Sequence, residues 1–317
     1  MLKKYLNGNY LVSLDEESGT KIYRGLRHGE ELVSSFPDSI DLKITNKCSI
    51  GCPYCHESSS INGKSFDLNK TIKLLDGLPK VGIEVAIGGG DVLEIGDDLA
   101  KLTNWLINNN FAPRITVNYK SLEKIVNDID EDKELYHSLI KDNYIECRDF
   151  GISIEKYDEK RLSYIENTLS ELALSRIVIH VIIGIIPIDD LEKLLESKRR
   201  VLILGYKSWG RGKSIGPEKE EIKEYEKLIK RAIFRARKNG ILCTLGFDNL
   251  AIEQLNLKDS FTEKEWNRIY MGNEFTHTMY IDAVREEFAP TSRDPERKPW
   301  SDFSGGIIEY FQKNKQK

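Results

Sequence analysis

Short apolar strands alternate with amphipathic helices along most of this 317-residue chain, and the alternation constrains the fold more than any other feature. The spacing of apolar residues predicts strands at 40–45, 81–87, 115–117, 151–154, 177–186 and 201–204. It predicts a helix that is capped by Asp67 or Asn69 and runs to 78, and further helices at 99–109, 122–141, 158–174, 189–197 and 217–238. A strand followed each time by a helix favours an α/β fold with a parallel sheet and helices outside it.

The two ends of the chain depart from this alternation. Residues 1–38 are short β-prone pieces separated by turns, and we predict an N-terminal β-rich leader. Residues 39–240 form the predicted main domain. Residues 241–317 contain aromatic, proline and arginine-rich pieces, and we predict a C-terminal extension that closes the substrate side. Gly, Asn and Glu follow the predicted strands, which favours a barrel-type sheet with its site at the carboxyl edge.

Composition excludes some classes of function. The net charge of −4 gives no reason to expect bulk nucleic-acid binding. No stretch approaches the roughly 18 apolar residues that a membrane span needs. The first 12 residues carry lysines but no long apolar stretch, so we expect no secretory signal and a cytoplasmic protein.

Three of the five cysteines lie within eight residues, at Cys48, Cys52 and Cys55. They follow the first predicted strand in a C-x3-C-x2-C pattern. Three thiolates in a short loop can bind one iron–sulfur cluster, because soft sulfur ligands select iron–sulfur clusters or zinc. With three ligands for four irons, one iron is left open. We predict a [4Fe–4S] cluster here.

Zinc binding and chance are the two alternatives for this cysteine motif. Zinc prefers a fourth protein ligand, and His56 is the adjacent candidate. In that case the chain is a non-catalytic metal-binding module. The three cysteines can also be unrelated buried thiols, although their spacing argues against it.

The sequence from Cys48 to Cys55 resembles the cluster loop of the radical S-adenosylmethionine (SAM) superfamily, including Tyr54 before the third cysteine. The resemblance covers about residues 40–240. It implies a partial (β/α)6 barrel of the TIM type. It also implies reductive cleavage of SAM to methionine and a 5′-deoxyadenosyl radical, which abstracts a hydrogen atom from a substrate.

The resemblance also implies which residues contact SAM. Tyr54 corresponds to a residue that packs against adenine in the family. A Gly-Gly-Glu-like motif binds the SAM amino group there, whereas this chain has an acid one position later. The small polar and acidic residues at later strand ends correspond to ribose contacts. The predicted SAM-contacting residues are Tyr54, Gly88, Gly89, Gly90, Asp91, Asn118, Ser153 and Glu155.

The substrate side is less well determined by the sequence. Lys207 and Arg211 follow the last predicted strand. Either they bind a carboxylate of SAM or substrate, or they belong to a plain surface loop. Cys243 is our candidate catalytic residue, as a hydrogen-atom donor to a substrate radical, with an inert buried thiol as the alternative. A further polar set is a candidate lining of the substrate side: Asp248, Asn249, Glu253, His277 and Asp282.

Relatives that modify peptides often carry a cysteine-rich C-terminal extension with auxiliary clusters. Residues 279–282 faintly resemble the start of such an extension, but no cysteine follows, so we expect a single cluster. The substrate is a peptide side chain or α-carbon, or alternatively a nucleotide or other small molecule. We expect a low-potential electron donor, a flavodoxin or ferredoxin.

Overall fold

A computed structural model describes residues 2–15, 20–124, 149–171, 176–239 and 244–315. The first three strands form an antiparallel sheet in chain order, β1 (Leu2–Asn7), β2 (Tyr10–Asp15) and β3 (Lys21–Gly25). This sheet corresponds to the predicted β-rich leader. Most of the predicted helix at 122–141 lies outside the described residues, as do Cys147 and Cys243.

A ten-stranded, mostly parallel sheet forms the rest of the framework. Its strands are β4 (Ser39–Thr45), β5 (Glu84–Gly89), β6 (Ala112–Asn118), β7 (Asp149–Ser153), β8 (Arg176–Ile182), β9 (Arg200–Leu204), β10 (Thr244–Phe247), β11 (Thr278–Asp282), β12 (Glu287–Ala289) and β13 (Lys298–Pro299). The strands from β4 to β10 are adjacent in chain order and all parallel. On the other side of β4, β11 pairs with it in parallel, and β12 and β13 follow antiparallel.

Eight helices can be assigned complete ranges in the described part of the chain. They are α1 (Leu68–Asp76), α2 (Asp97–Asn108), α3 (Glu159–Glu171), α4 (Ile188–Glu196), α5 (Lys219–Asn239), α6 (Asn249–Gln254), α7 (Glu263–Ile269) and α8 (Gly306–Asn314). Side-chain caps fix several of the starts. Asp67 accepts a hydrogen bond from the amide of Lys70 before α1, and Asp248 accepts one from the amide of Ala251 before α6. No helix within the described ranges has the length and apolar character to cross a membrane.

The large sheet curves around an internal space, as an incomplete barrel does. Residues of β4 and of β10, at opposite ends of the parallel run, line the same cavity: Asp41 from β4, and Thr244 and Gly246 from β10. The outer face of the strands packs against the helices, through buried residues such as Ile40 and Leu75. The predicted α/β architecture is therefore confirmed.

The small N-terminal sheet packs at the end of the barrel where the strands begin. Asp38, directly before β4, is buried and accepts hydrogen bonds from Asn7 (2.9 Å), Tyr5 (3.2 Å) and Tyr10. His277, directly before β11, lies 3.0 Å from the Tyr10 hydroxyl. These bonds satisfy a carboxylate that would be costly to bury alone. They leave the opposite, carboxyl edge of the sheet open for a site.

Candidate active site

The three motif cysteines lie in one loop that begins where β4 ends. The two ends of the loop are tied together: Ser60 donates its amide to the Asn46 carbonyl (3.0 Å), and Cys48 donates its amide to the Ser60 carbonyl (2.9 Å). Within the loop, Gly51 has a φ of +68°, which glycine adopts without strain. The loop therefore closes on itself.

A single cavity joins this loop to the carboxyl edge of the sheet. Cys48, Cys52 and Cys55 are partly exposed, carry no disulfide and line this cavity. The cavity is also lined by Tyr54, Gly88, Gly89, Gly90, Asp91, Asn118 and Ser153. The predicted cluster ligands and all the predicted SAM contacts except Glu155 thus line one space, and their individual roles stay predictions.

The arrangement of the cysteines bears on the kind of metal they can bind. Within the described part of the chain, no three His, Cys, Asp or Glu side chains are placed to hold one metal ion. An iron–sulfur cube binds each cysteine through a separate iron, so three free thiols that line one cavity fit the ligand positions of such a cluster. His56 contacts Glu57 and the Lys207 ammonium, each at 3.5 Å, rather than a cysteine. Burial, followed by nearby positive charges, lowers the pKa of His56 well below its usual value.

The segment after β9 holds the cysteine loop from the other side. Arg211 donates from Nε to the Cys52 carbonyl (3.0 Å) and from Nη1 to the Ser59 carbonyl (2.7 Å). Its amide donates to the Cys55 carbonyl (3.0 Å). A Cβ on the preceding Gly210 would lie 2.3 Å from the His56 carbonyl oxygen. Arg211 thus contacts the loop backbone and not a carboxylate, and the charge of its guanidinium strengthens both bonds.

The glycines that end β5 have different surroundings. A Cβ on Gly90 would lie 2.1 Å from the Lys47 carbonyl oxygen, and one on Gly89 would lie 2.3 Å from that of Thr45. Gly89 also has a φ of +127°. A Cβ on Gly88 would meet nothing within 4 Å. Gly89 and Gly90 are therefore required for close backbone packing, whereas Gly88 leaves open space in the cavity.

Asp91 follows these glycines and is hydrogen-bonded within the chain. One carboxylate oxygen accepts from the Leu93 amide (3.1 Å), which caps a short 3₁₀ helix, and the other accepts from the Ser121 hydroxyl. Burial raises its pKa. Glu94, in the same 3₁₀ helix, accepts from the Ser49 amide of the cysteine loop (2.7 Å). Glu94 was not predicted, although an acid in the turn after the glycines is a sequence signal for it.

Glu155 lies beside the cysteine loop, after β7. It accepts hydrogen bonds from the Tyr54 hydroxyl (2.9 Å) and from Lys120, whose ammonium lies 3.0 Å from both of its oxygens. One of these oxygens is 3.7 Å from the Cys52 sulfur, and the Asn118 amide nitrogen lies 3.8 Å from the same sulfur. Three of the predicted SAM-contacting residues therefore meet around one cysteine. Lys120 was not predicted, and the sequence offers no periodic signal for it.

A second cavity lies deeper in the barrel, among the amino-terminal halves of the strands. His180 lines it and packs against Gly151, where a Cβ would lie 2.6 Å from the imidazole Cε1. Burial, with a smaller effect from the positive charge of Arg114, lowers the pKa of His180 to about 4. His180 is therefore separate from the cavity that the cysteines line.

The polar residues that were predicted to line the substrate side lie at different places in the structure. Asp248 lines the cysteine cavity, and Asp282 bonds the buried Lys43 at 3.1 Å. His277 lies instead at the N-terminal sheet. Of the others, Glu253 pairs with an arginine, and Asn249 bonds a backbone carbonyl. The candidate hydrogen-atom donor Cys243 lies outside the described residues, and its role stays a prediction.

Comparison with solved structures identifies proteins that share this architecture. Streptococcus suis SuiB, solved bound to S-adenosylmethionine, aligns over 96% of this chain and 85% of its own, with a TM-score of 0.63 and 12% sequence identity. anSMEcpe, solved with bound AdoMet, aligns over 87% of this chain and 81% of its own, with a TM-score of 0.57 and 12% identity. The chain has the fold of both proteins.

Two related structures contain peptides. One is SuiB bound to the precursor peptide SuiA, which aligns over 88% of this chain and 65% of its own (TM-score 0.61, 13% identity). The other is anSMEcpe with AdoMet and the Kp18Cys peptide, at 87% and 81% (TM-score 0.56, 12% identity). No protein-family model matches the sequence, and no curated protein matches it. At this level of identity, the likeness is one of fold.

Proposed function

We propose that this protein is a radical SAM enzyme that modifies a peptide. The observation that carries the proposal is the shared cavity. Three cysteines from one loop and the glycine end of β5 surround the same space. The fold that builds this space is also that of proteins solved with S-adenosylmethionine bound.

Cys48, Cys52 and Cys55 would hold a [4Fe–4S] cluster, and the open iron would take SAM. Such a cluster would supply the electron for reductive cleavage of SAM to methionine and a 5′-deoxyadenosyl radical, and that radical would take a hydrogen atom from the substrate. The open space at Gly88 leaves room for SAM beside the loop. Asn118 and Ser153, at the ends of β6 and β7, would hold polar groups of SAM.

Other residues of the chain hold the site in place. Arg211 and Glu94 bond the backbone of the cysteine loop from two sides, and Gly90 allows that loop to pack against β5. A preorganised loop lowers the entropy cost of binding a cluster and a cofactor. The electron would come from a flavodoxin or ferredoxin in the cytoplasm.

A peptide is the proposed substrate because two of the structures that share the fold were solved with peptides. The hydrogen atom would come from a side chain or α-carbon. Cys243 is proposed to return a hydrogen atom to the substrate radical, and the thiyl radical left on it would be restored by one electron from the same low-potential donor and one proton from water.

The proposal is tested by anaerobic reconstitution of the full chain, followed by reduction in the presence of SAM. We expect about four irons per chain and formation of 5′-deoxyadenosine, both lost in Cys52→Ala. Cys147→Ala is the matched control and should retain both. Cys243→Ala should retain SAM cleavage but change the product formed from a peptide. One zinc per chain without 5′-deoxyadenosine would instead identify a non-catalytic metal-binding module.

A further inference from the structure

Two positively charged side chains bond to one serine, Ser292, in the segment between β12 and β13. Lys207, after β9, donates to the Ser292 hydroxyl (2.8 Å), and Arg297 donates from Nη2 to the Ser292 carbonyl (2.7 Å). Lys207 also lines the cavity that contains the cysteines. The two cations are therefore held close together by the segment between β12 and β13.

Neither cation has a carboxylate partner in the described ranges. The hydrogen bonds of Lys207 go to the Ser292 hydroxyl and the His56 ring, and the Nη1 atom of Arg297 is buried without a hydrogen-bond partner there. The Arg297 guanidinium also lies over the Tyr280 ring, 4.7 Å from its centre. A guanidinium nitrogen that is buried and unbonded is costly, because it has lost water without replacing its hydrogen bond.

Two neighbouring cations are neutralised by carboxylates, unlike Lys207 and Arg297. Arg211 also lacks a carboxylate, but its guanidinium bonds the backbone of the cysteine loop. Lys43 lies between the carboxylates of Glu57 and Asp282. Arg293 pairs with Glu274 at 2.7 Å and with a second acid.

Two acids lie in the surroundings of Lys207. They are Asp41, deeper in the barrel, and Glu57, which contacts the same His56 ring nitrogen as Lys207, each at 3.5 Å. Burial raises the pKa of Asp41 to about 6, although the charge of Lys207 acts in the opposite direction. Within the described part of the chain, neither Asp41 nor Glu57 forms an ion pair with Lys207. Lys207 thus remains available to an anion that enters the cavity.

We propose that Lys207 and Arg297 bind a carboxylate of the peptide substrate and thereby select which residue faces the cofactor. A guanidinium and an ammonium side by side suit a carboxylate, with two charge-assisted hydrogen bonds from the arginine and one from the lysine. The carboxylate belongs to an acidic side chain or to a free peptide C-terminus. This inference rests on the proposed function for the identity of the ligand as a peptide.

The experiment measures binding rather than turnover. A pool of N-acetylated octapeptides with randomised positions, prepared as free acids and as amides, is passed over immobilised reconstituted protein with SAM. Retained peptides are identified by mass spectrometry. We expect peptides with Asp, Glu or a free C-terminus to be enriched about tenfold or more over matched Gln, Asn or amide peptides. The free-acid and amide arms distinguish the two sources of carboxylate.

Variants make the test specific. Lys207→Met and Arg297→Met should bring the enrichment to within about twofold of unity, and Lys207→Arg should retain most of it. Lys207→Glu should reverse the preference toward Lys- and Arg-containing peptides, which loss of folding cannot produce. Lys264→Met, on the exposed surface of α7, is the matched control and should behave as the unmodified protein.

The inference is overturned if the unmodified protein shows no preference for carboxylates, or if Lys207→Met and Arg297→Met both keep it. Each variant is checked for iron content and thermal unfolding. Because binding needs no SAM cleavage, enrichment without 5′-deoxyadenosine would defeat the proposed function alone. 5′-Deoxyadenosine without enrichment would defeat this inference alone.

Discussion

Replacing Arg211 should loosen the cysteine loop without unfolding the protein. Its guanidinium bonds the carbonyls of Cys52 and Ser59, two residues that flank the third cysteine. Arg211→Gln keeps a polar side chain of moderate length but removes the positive charge and the forked arrangement of guanidinium donors. Arg211→Lys keeps the charge and removes only the fork.

The size of the effect follows from these bonds. Each hydrogen bond from a charged donor contributes about 1.5–3 kcal/mol, so two contribute at most about 3–6 kcal/mol. Both bonds are only partly buried, and water can replace the donors in part. We therefore expect Arg211→Gln to destabilise the ordered loop relative to the open loop by about 2–3 kcal/mol, which is about 30- to 150-fold in the ratio of the two populations.

The assay is iron incorporation under limiting iron and sulfide, with thermal unfolding measured in parallel. Arg211→Gln should lower iron per chain and broaden the electron paramagnetic resonance signal of the reduced cluster, while the unfolding midpoint changes little. Arg211→Lys should fall between it and the unmodified protein. Lys213→Gln, an exposed position in the same turn, is the control. Full iron content and an unchanged spectrum in Arg211→Gln would refute the reasoning.

Four further predictions concern the strands beneath the site. Gly90→Ala should lower both stability and iron content, because its Cβ would overlap a carbonyl oxygen. Gly88→Ala should fold normally and weaken SAM binding in equilibrium dialysis. Equal losses of stability in the two variants would contradict this prediction. Gly151→Ala should cost about 1–3 kcal/mol and couple to His180→Ala in a double-mutant cycle, since the new Cβ meets that imidazole; additive effects would count against the contact. The pKa of about 4 for His180 means that the unfolded chain, with a pKa near 6.5, binds more protons between these values. The free energy of unfolding should then fall by up to about 3 kcal/mol as pH drops from 6.5 to 4, and His180→Gln should remove that slope in denaturant titrations. Asp91→Ala should lower the free energy of unfolding by about 1–2 kcal/mol through loss of its cap, with an unchanged midpoint as the contrary result.

The sequence allowed the order of strands and helices to be predicted because burial is periodic along it. Strand β4 was predicted at 40–45 and spans Ser39–Thr45, and α4 was predicted at 189–197 and spans Ile188–Glu196. Local patterns of this kind act over a few residues. The three cysteines are also local, so their common loop could be predicted from spacing alone.

Contacts between distant segments were not predictable in the same way. Arg211 bonds a carbonyl 159 residues before it, and no periodicity in the sequence marks that pairing. The same holds for Lys120, which meets Glu155 only because β6 and β7 are neighbours in the sheet. A charged residue after a strand end could be assigned to the site, but its partner depends on how the sheet curves.

The C-terminal segment also makes contacts with residues that are distant in the sequence. The sequence predicts it as an extension that closes the substrate side. In the structure, β11 is the direct parallel neighbour of β4, and Asp282 at its end bonds Lys43. Lys43 also bonds Glu57, which lies two residues after the last cysteine of the loop. A buried ammonium that loses one of two carboxylates is left poorly compensated, at a cost of about 3–5 kcal/mol for a broken buried pair. The cysteine loop and the C-terminal segment are therefore coupled through one buried lysine. The segment that carries Arg297, proposed to bind the substrate, is thus connected to the loop proposed to hold the cluster.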